Sequence, residues 1–221
     1  MNGLLLSDNY KRATTSINLV GKFFDNHLKI DINNKTASTN NNYSNQGAIG
    51  AAISYDPTQP IYNADGSYHQ WNFTNAPLAG ANPLSLINQT SNYGTSTRSI
   101  GNIQTEYKLH FFPELKLVAN LAYDYQSGKT YGSTGMDYYN TSSAGSTYLN
   151  TEDRKNRLMD LFVNYKKDFA SLKSSLEFTA GYNYQSFGRN YTAQSYTYSS
   201  NNTSITPATP QNYNLQSFFG R

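Results

Sequence analysis

The stretch Ile103-Gln104-Thr105-Glu106-Tyr107-Lys108-Leu109-His110-Phe111-Phe112-Pro113-Glu114-Leu115-Lys116-Leu117-Val118-Ala119-Asn120-Leu121-Ala122-Tyr123-Asp124-Tyr125 decides the fold. Ile103, Thr105, Tyr107, Leu109 and Phe111 alternate with Gln104, Glu106 and Lys108, and Leu115, Leu117, Ala119, Leu121, Tyr123 and Tyr125 resume the same parity. A period of two marks a strand with one apolar face. The break at Phe112-Pro113-Glu114 reads as a short turn between strands over 100–111 and 115–126. Residues opposite each other in an antiparallel pair share a face, and a slip of one residue would invert it. Phe111 opposite Leu115 keeps the two apolar sets together.

Two further pairs read the same way. Strands over 13–24 and 28–37 turn at Asp25-Asn26-His27, with Ile17, Leu19, Gly21 and Phe23 continued by Leu28, Ile30 and Ile32. Strands over 158–167 and 172–187 turn at Asp168-Phe169-Ala170-Ser171, with Met159, Leu161, Val163 and Tyr165 continued by Leu176, Phe178, Ala180, Tyr182 and Tyr184. Phe23 opposite Leu28 and Tyr165 opposite Leu172 satisfy the parity. Leu158 and Phe162 depart from it. Lys22, Lys29, Asp31, Glu106, Lys108, Lys116, Asp124, Asp160, Lys173 and Glu177 all fall on the other parity.

Composition narrows the class. Of 221 residues only 14% are charged, while 20 Tyr and 11 Phe bring aromatics to 14%. Ordinary soluble domains carry about 25% charged residues. A mean hydropathy of −0.67 and the lack of an apolar run near 18 residues exclude a membrane-spanning helix, and the ring content argues against disorder. The +3 net charge is spread without a Lys/Arg cluster, so no nucleic-acid footprint is present. With no Cys, disulfides, thiolate metal sites and thiol nucleophiles are excluded. Residues 1–8 hold three leucines and no basic start, so no signal peptide is read in this chain.

Between the paired strands run segments rich in Asn, Ser, Thr, Gly and Tyr, over 38–99, 127–156 and 188–213. Loops of that length count against a compact soluble domain. Short turns at one end, long loops at the other and strands of ten or more residues are the pattern of an antiparallel up-and-down transmembrane β-barrel. Phe23, Phe24, Phe111, Phe112 and Phe169 near the turns, with Tyr123, Tyr125, Tyr182 and Tyr184 toward the loops, read as its interfacial girdles. A soluble β-sandwich gives the same local alternation, its apolar face meeting a second sheet, and periodicity alone does not separate the two.

Catalytic and metal motifs are missing from the sequence. His27, His69 and His110 have no partner at metal-ligand spacing. Gly128-Lys129-Thr130 lacks the earlier glycine of a phosphate loop, where Tyr123 stands. Asn63-Ala64-Asp65-Gly66 has the look of a calcium loop, but Ile61 occupies the first ligand position, so it reads as a β-turn. No Gly-x-Ser-x-Gly elbow exists, and Glu152 and Asp153 are adjacent instead of opposed. We read no enzyme, no metal and no cofactor. Asn82-Pro83 before Leu84-Ser85-Leu86-Ile87 reads as a capped short helix, and the many Asn-x-Ser/Thr sequons follow from composition.

The stretch Gly47-Ala48-Ile49-Gly50-Ala51-Ala52-Ile53-Ser54-Tyr55-Asp56-Pro57-Thr58-Gln59-Pro60-Ile61-Tyr62-Asn63-Ala64-Asp65-Gly66-Ser67-Tyr68, followed by Asn82-Pro83-Leu84, resembles the loop of SusC-like and RagA-like TonB-dependent transporters. The resemblance continues from Gly101 to Tyr125 and through Ser217-Phe218-Phe219-Gly220-Arg221, which looks like the opening of a further strand. It implies a plugged barrel in the outer membrane that imports oligosaccharides or peptides, capped by a SusD-like surface lipoprotein and powered through the TonB complex. Such barrels close with ~22 strands. We therefore expect 1–221 to be part of one such barrel domain, six strands and the start of a seventh, without the plug, the TonB-contacting segment and the remaining wall. Exposed loop rings, Trp71 first and then Tyr62, Tyr68, Tyr138 and Tyr139, are the candidates for contact with substrate or lid. A secreted glycan-binding β-sandwich and a small complete barrel acting as an adhesin remain as alternatives at this point.

Overall fold

The computed structural model describes residues 3–71, 79–136, 145–198 and 200–221. All eight strands belong to a single antiparallel sheet: β1 (Asn9–Phe23), β2 (Leu28–Asn42), β3 (Thr90–Leu109), β4 (Phe112–Thr134), β5 (Ser146–Phe169), β6 (Ser174–Thr197), β7 (Asn202–Thr206) and β8 (Gln211–Gly220). Neighbours in sequence pair in order from β1 to β6, and both β7 and β8 pair with β6. β7 lies along Ala193–Thr197 and β8 along Ala180–Arg189. They share the seventh position, split by 207–210, where Pro207 and Pro210 cannot donate to a ladder. The expected six strands and start of a seventh thus hold, with one extra short segment. The sheet is open, since β1 does not pair with β8.

Register carries the apolar parity from strand to strand. Phe23 is opposite Leu28, Leu28 opposite Tyr107, Tyr107 opposite Leu117, Leu117 opposite Val163 and Val163 opposite Ala180. Four residues further along, Leu19, Ile32, Ile103, Leu121, Met159 and Tyr184 form another continuous row. From Leu115 to Tyr123 the chain rises at ~3.4 Å per residue. At a tilt of ~40° that gives about 20 Å of height, close to the ~25 Å apolar band of a membrane barrel. No described residue covers this belt: Leu121 is 51% exposed, Leu19 59% and Phe178 50%. A second sheet packed on the apolar face, as a sandwich requires, is therefore not what these residues form.

Three expected details change. The β3–β4 turn is at His110-Phe111, not at Phe112-Pro113-Glu114, because Lys108 pairs with Lys116 and then Leu109 with Phe112. The register shift there leaves 113–115 of β4 without partners in β3, and places Pro113 where no ladder N–H is required. Tyr165 is opposite Phe178 instead of Leu172, with a short 3₁₀ turn over Ala170–Leu172. The difference of six residues is even, so the shared face survives. The strands are also longer than expected and take up much of the segments read as loops: β3 begins at Thr90, β4 runs to Thr134, β5 begins at Ser146 and β6 runs to Thr197. Past the belt both faces meet water, so alternation disappears while Thr and Tyr keep their preference for extended backbone.

The first turn has its own solution. Phe24, Asp25 and Asn26 take φ of 54°, 54° and 67°, and the His27 N–H donates to the Phe24 carbonyl at 2.9 Å. Positive φ at both central residues is the hairpin-compatible turn, tolerated by Asp and Asn. Across the polar face, Val118, Phe162, Gly181 and Phe219 form one row. Phe162, outside the parity of its strand, packs there: a Cβ on Gly181 would come within 2.5 Å of both Phe162 and Phe219. Val118 beside them is 5% exposed.

Parity predicts an asymmetric response to charge. Leu121→Arg is expected to cost ~2 to 4 kcal/mol for folding into bilayers, and Asn120→Arg much less. Equal cost at the two positions in lipid-vesicle unfolding titrations would contradict the assignment of faces.

Candidate functional site

Between β2 and β3 the described residues build a small core of their own. α1 (Gly47–Ser54) and α2 (Pro83–Asn88) bring together Ala48, Ala51, Leu86 and Ile87, all buried. Asn82, fully buried, organises this core. Its Oδ1 accepts from the Leu84 and Ser85 N–H groups at 3.0 and 3.3 Å, capping α2, and its Nδ2 donates to the Ile61 and His69 carbonyls at 2.7 and 3.2 Å. One amide thus satisfies two helix donors and two loop acceptors. The capped helix was legible in Asn82-Pro83, whereas α1 was not expected, its small residues giving little amphipathic signal.

The turn expected at Asn63-Ala64-Asp65-Gly66 is present. The Gly66 N–H donates to the Asn63 carbonyl at 3.0 Å, and Gly66 takes φ +83°, which an L side chain rarely adopts. Asp65 accepts from the Ser67 hydroxyl at 2.6 Å and its N–H at 2.9 Å. Asp56 accepts from the Thr58 N–H at 2.9 Å and its hydroxyl at 2.7 Å. These bonds hold both carboxyls below the ordinary aspartate value: the Thr58 N–H and then its hydroxyl for Asp56, the Ser67 hydroxyl and then its N–H for Asp65.

Of the five candidate rings, Tyr62 and Tyr68 bridge across this turn with centroids 5.2 Å apart. The Tyr68 hydroxyl also accepts from Asn88 Nδ2 at 2.8 Å, tying the turn to α2. Trp71, partly buried, meets His69 edge-on at 6.1 Å. Tyr138 and Tyr139 lie outside the described residues. The structure brings Tyr62, Tyr68 and Trp71 onto one loop.

The polar face is a connected surface. Asn33 donates to Asn102 at 3.2 Å, Asn102 to Asn120 at 3.2 Å and Asn120 to Asp160 at 3.3 Å, while Asn183 donates to Asp160 from the other side. This amide chain crosses five strands. On the turn side of it Lys29 pairs with Asp31 at 2.7 Å and Lys116 with Glu106 at 3.2 Å. On the loop side Arg98 forms a two-point pair with Asp124 at 2.8 Å, and Arg154 and Arg189 share Glu152. At the turns, His27 and His110 stack with centroids 4.0 Å apart. Sequence spacing did not join them, because they sit in different hairpins that β2–β3 pairing brings side by side.

No family model matches the chain. The TonB-dependent receptor SusC of Bacteroides thetaiotaomicron is 30% identical over 213 residues, covering 86% of this chain and 20% of the receptor. The chain is SusC/RagA-like. Its fold agrees with the RagAB peptide importer in the open-open state (TM-score 0.69, 16% identity, 96% of this chain and 25% of that chain). The closed-closed state gives a TM-score of 0.68 at 15% identity, covering 96% and 26%. This SusC/RagA-like chain spans about a fifth of the SusC receptor. The matched proteins are a TonB-dependent receptor and a peptide importer. No helix among the described residues is long and apolar enough to cross a membrane, which has no bearing on crossing by strands.

Two outcomes follow for the loop core. Asn82→Ala is expected to destabilise it by ~2 kcal/mol, by losing the cap and orphaning buried carbonyls, read as faster hydrogen exchange in 47–54 and 83–88 with the strands unchanged. Because the folded carboxyls of Asp56 and Asp65 titrate below the ordinary aspartate value, their contribution is complete above that value and is lost as pH falls through the folded values. Loop protection should therefore hold from about pH 5 upward and fall below about pH 4, and Asp56→Asn with Asp65→Asn should flatten the profile.

Proposed function

We propose that the chain forms part of the wall of a TonB-dependent outer-membrane transporter that imports oligosaccharides or peptides together with a SusD-like surface lipoprotein. The single observation that carries this reading is the two-faced, one-layer sheet, with a continuous apolar belt on one face and hydrogen-bonded polar groups on the other. In such barrels the apolar face meets lipid and the polar face lines the lumen. A plug domain and TonB contact belong to the rest of the transporter.

Orientation follows from turn length. Outer-membrane barrels keep short turns on the periplasmic side and long loops outside. The turns at 24–27, 110–111 and 170–173 then mark the inner rim, and the folded 43–89 loop faces the cell exterior, where substrate and lid arrive. Trp71, Tyr62 and Tyr68, with Tyr138 and Tyr139, are the proposed contacts, since rigid rings offer large area at small entropic cost.

In the intact transporter, a peptide tag inserted after Gly80 should be labelled by antibody on whole cells, and one after Asn26 only after permeabilisation. The reverse pattern would overturn the topology. Trp71→Ala should weaken capture of substrate or lid by ~2 kcal/mol, the scale of an interface anchor, and unchanged uptake and lid affinity would leave this ring as loop packing.

A further inference from the structure

Beyond the apolar belt, on the loop side of the polar face, Arg98, Gln126, Arg154 and Arg189 stand in one cross-strand row. Arg154 and Arg189 are directly opposite each other, an arrangement of like charges that a sheet disfavours. A single oxygen holds them together: Glu152 Oε1 accepts from Arg154 Nε at 2.6 Å and from Arg189 Nε at 2.7 Å. Both guanidiniums engage through Nε in these bonds, and their side chains remain half-exposed, 50% and 49%. The flanking rows of the same face add Lys35 and Arg12. Five cations there face two carboxylates, Asp124 and Glu152, while Lys129, Asp153 and Lys155 stand on the other face.

Beside the row lies a cavity of about 300 Å³ lined by Tyr43, Ser96, Gly128, Asn150, Glu152 and Tyr191, and by Gln126 of the row itself. The Arg189 guanidinium is 5.9 Å from the Tyr191 ring centroid. A second cavity, about 150 Å³, is lined by Arg189 and Tyr191 together with Pro207 and Gln211. Tyr191 therefore lines both cavities, with Glu152 in the first and Arg189 in the second.

We propose that this strip is a subsite for an oligomeric ligand bearing carboxylates, with Arg154 and Arg189 gripping one carboxylate and Tyr43 and Tyr191 flanking the unit that carries it. The proposal rests on the reading of the polar face as a transporter lumen and gives that reading a ligand class. Guanidiniums offer planar forks of donors that match a carboxylate edge. Two of them pinned at close range by one shared acceptor are preorganised for a second anion, so little side-chain ordering remains to be supplied on binding. The hydroxyl and amide groups of Ser96, Gln126 and Asn150 suit the polar remainder of either an acidic oligosaccharide or an acidic peptide.

The test titrates the full chain in detergent micelles with trigalacturonate, N-acetyl-triglutamate and neutral maltotriose. At least one acid should bind with salt-sensitive affinity and maltotriose should not, and the tighter acid assigns the source of the carboxylate. Arg154→Gln with Arg189→Gln should weaken that acid by roughly tenfold or more. Lys166→Gln, near the opposite end of the polar face, should leave it unchanged. Glu152→Gln, which removes the resident anion, should tighten binding. If the double variant loses its strand spectrum, Glu152→Gln decides: tighter binding supports the subsite, and unchanged or weaker binding overturns it. Acids that bind no better than maltotriose, or equally well to the folded double variant, also overturn it. Binding in micelles does not depend on membrane orientation, so an inverted tag pattern would overturn the proposed topology and leave this result standing.

Discussion

Antiparallel pairing in a one-layer sheet forces every side chain to one of two sides, and the rest of the structure follows from that constraint. Strands β2 to β6 have a neighbour on each side, and satisfying backbone donors and acceptors by such pairing is the condition for crossing a hydrocarbon layer without helices. Once Phe23 lies opposite Leu28 and Tyr107 opposite Leu117, the register leaves Lys29 and Glu106 no option but the other face. The belt and the polar network are two readings of one register. The polar side then becomes connected because amides such as Asn33, Asn102 and Asn120 fall at matching positions and donate in sequence toward Asp160.

The same constraint separates rigid from variable parts. At the turn end the chain has only a few residues to reverse, and it uses positive φ at Asp25 and Asn26, a register shift with Pro113 and a 3₁₀ turn at Ala170–Leu172. At the loop end the strands continue into water, and the 43–89 segment folds separately around Ala48, Ala51, Leu86 and Ile87. That core is small, so a single polar residue, Asn82, carries much of its specification through four hydrogen bonds. A rigid wall bearing a self-contained loop is suited to presenting rings at an entrance while the wall supplies charge and hydrogen bonds to what passes.

Legibility tracked solvent contrast. From Ile103 to Tyr125 one face is apolar and the other wet, so parity was visible, and it survived even where the turns were misplaced because the errors were even in residue count. Above the belt the contrast vanishes. Thr95, Ser127 and Asn150 look like loop residues although they are paired in the ladder. Arg154 and Arg189 were therefore hidden in segments read as loops, and their meeting on Glu152 needed the β5–β6 register to bring them opposite. His27 and His110 were hidden for the same reason, since their stacking depends on which hairpins are neighbours. The Asn82 cap could be seen because its signal is local, an Asn followed by Pro at the first helical position. Its second function, holding the Ile61 and His69 carbonyls, could not.

The central claim is that one parity of this sheet faces lipid and the other a water-filled lumen. The natural chain has no cysteine, so a nitroxide can be attached at each position from 115 to 125 in turn without background labelling. With the chain folded into bilayers, collision rates with oxygen and with a water-soluble nickel chelate report lipid and water exposure. The account predicts oxygen maxima at 117, 119, 121 and 123 and chelate maxima at 120, 122 and 124. Uniform chelate access along the whole stretch, or alternation of the opposite phase, would contradict it.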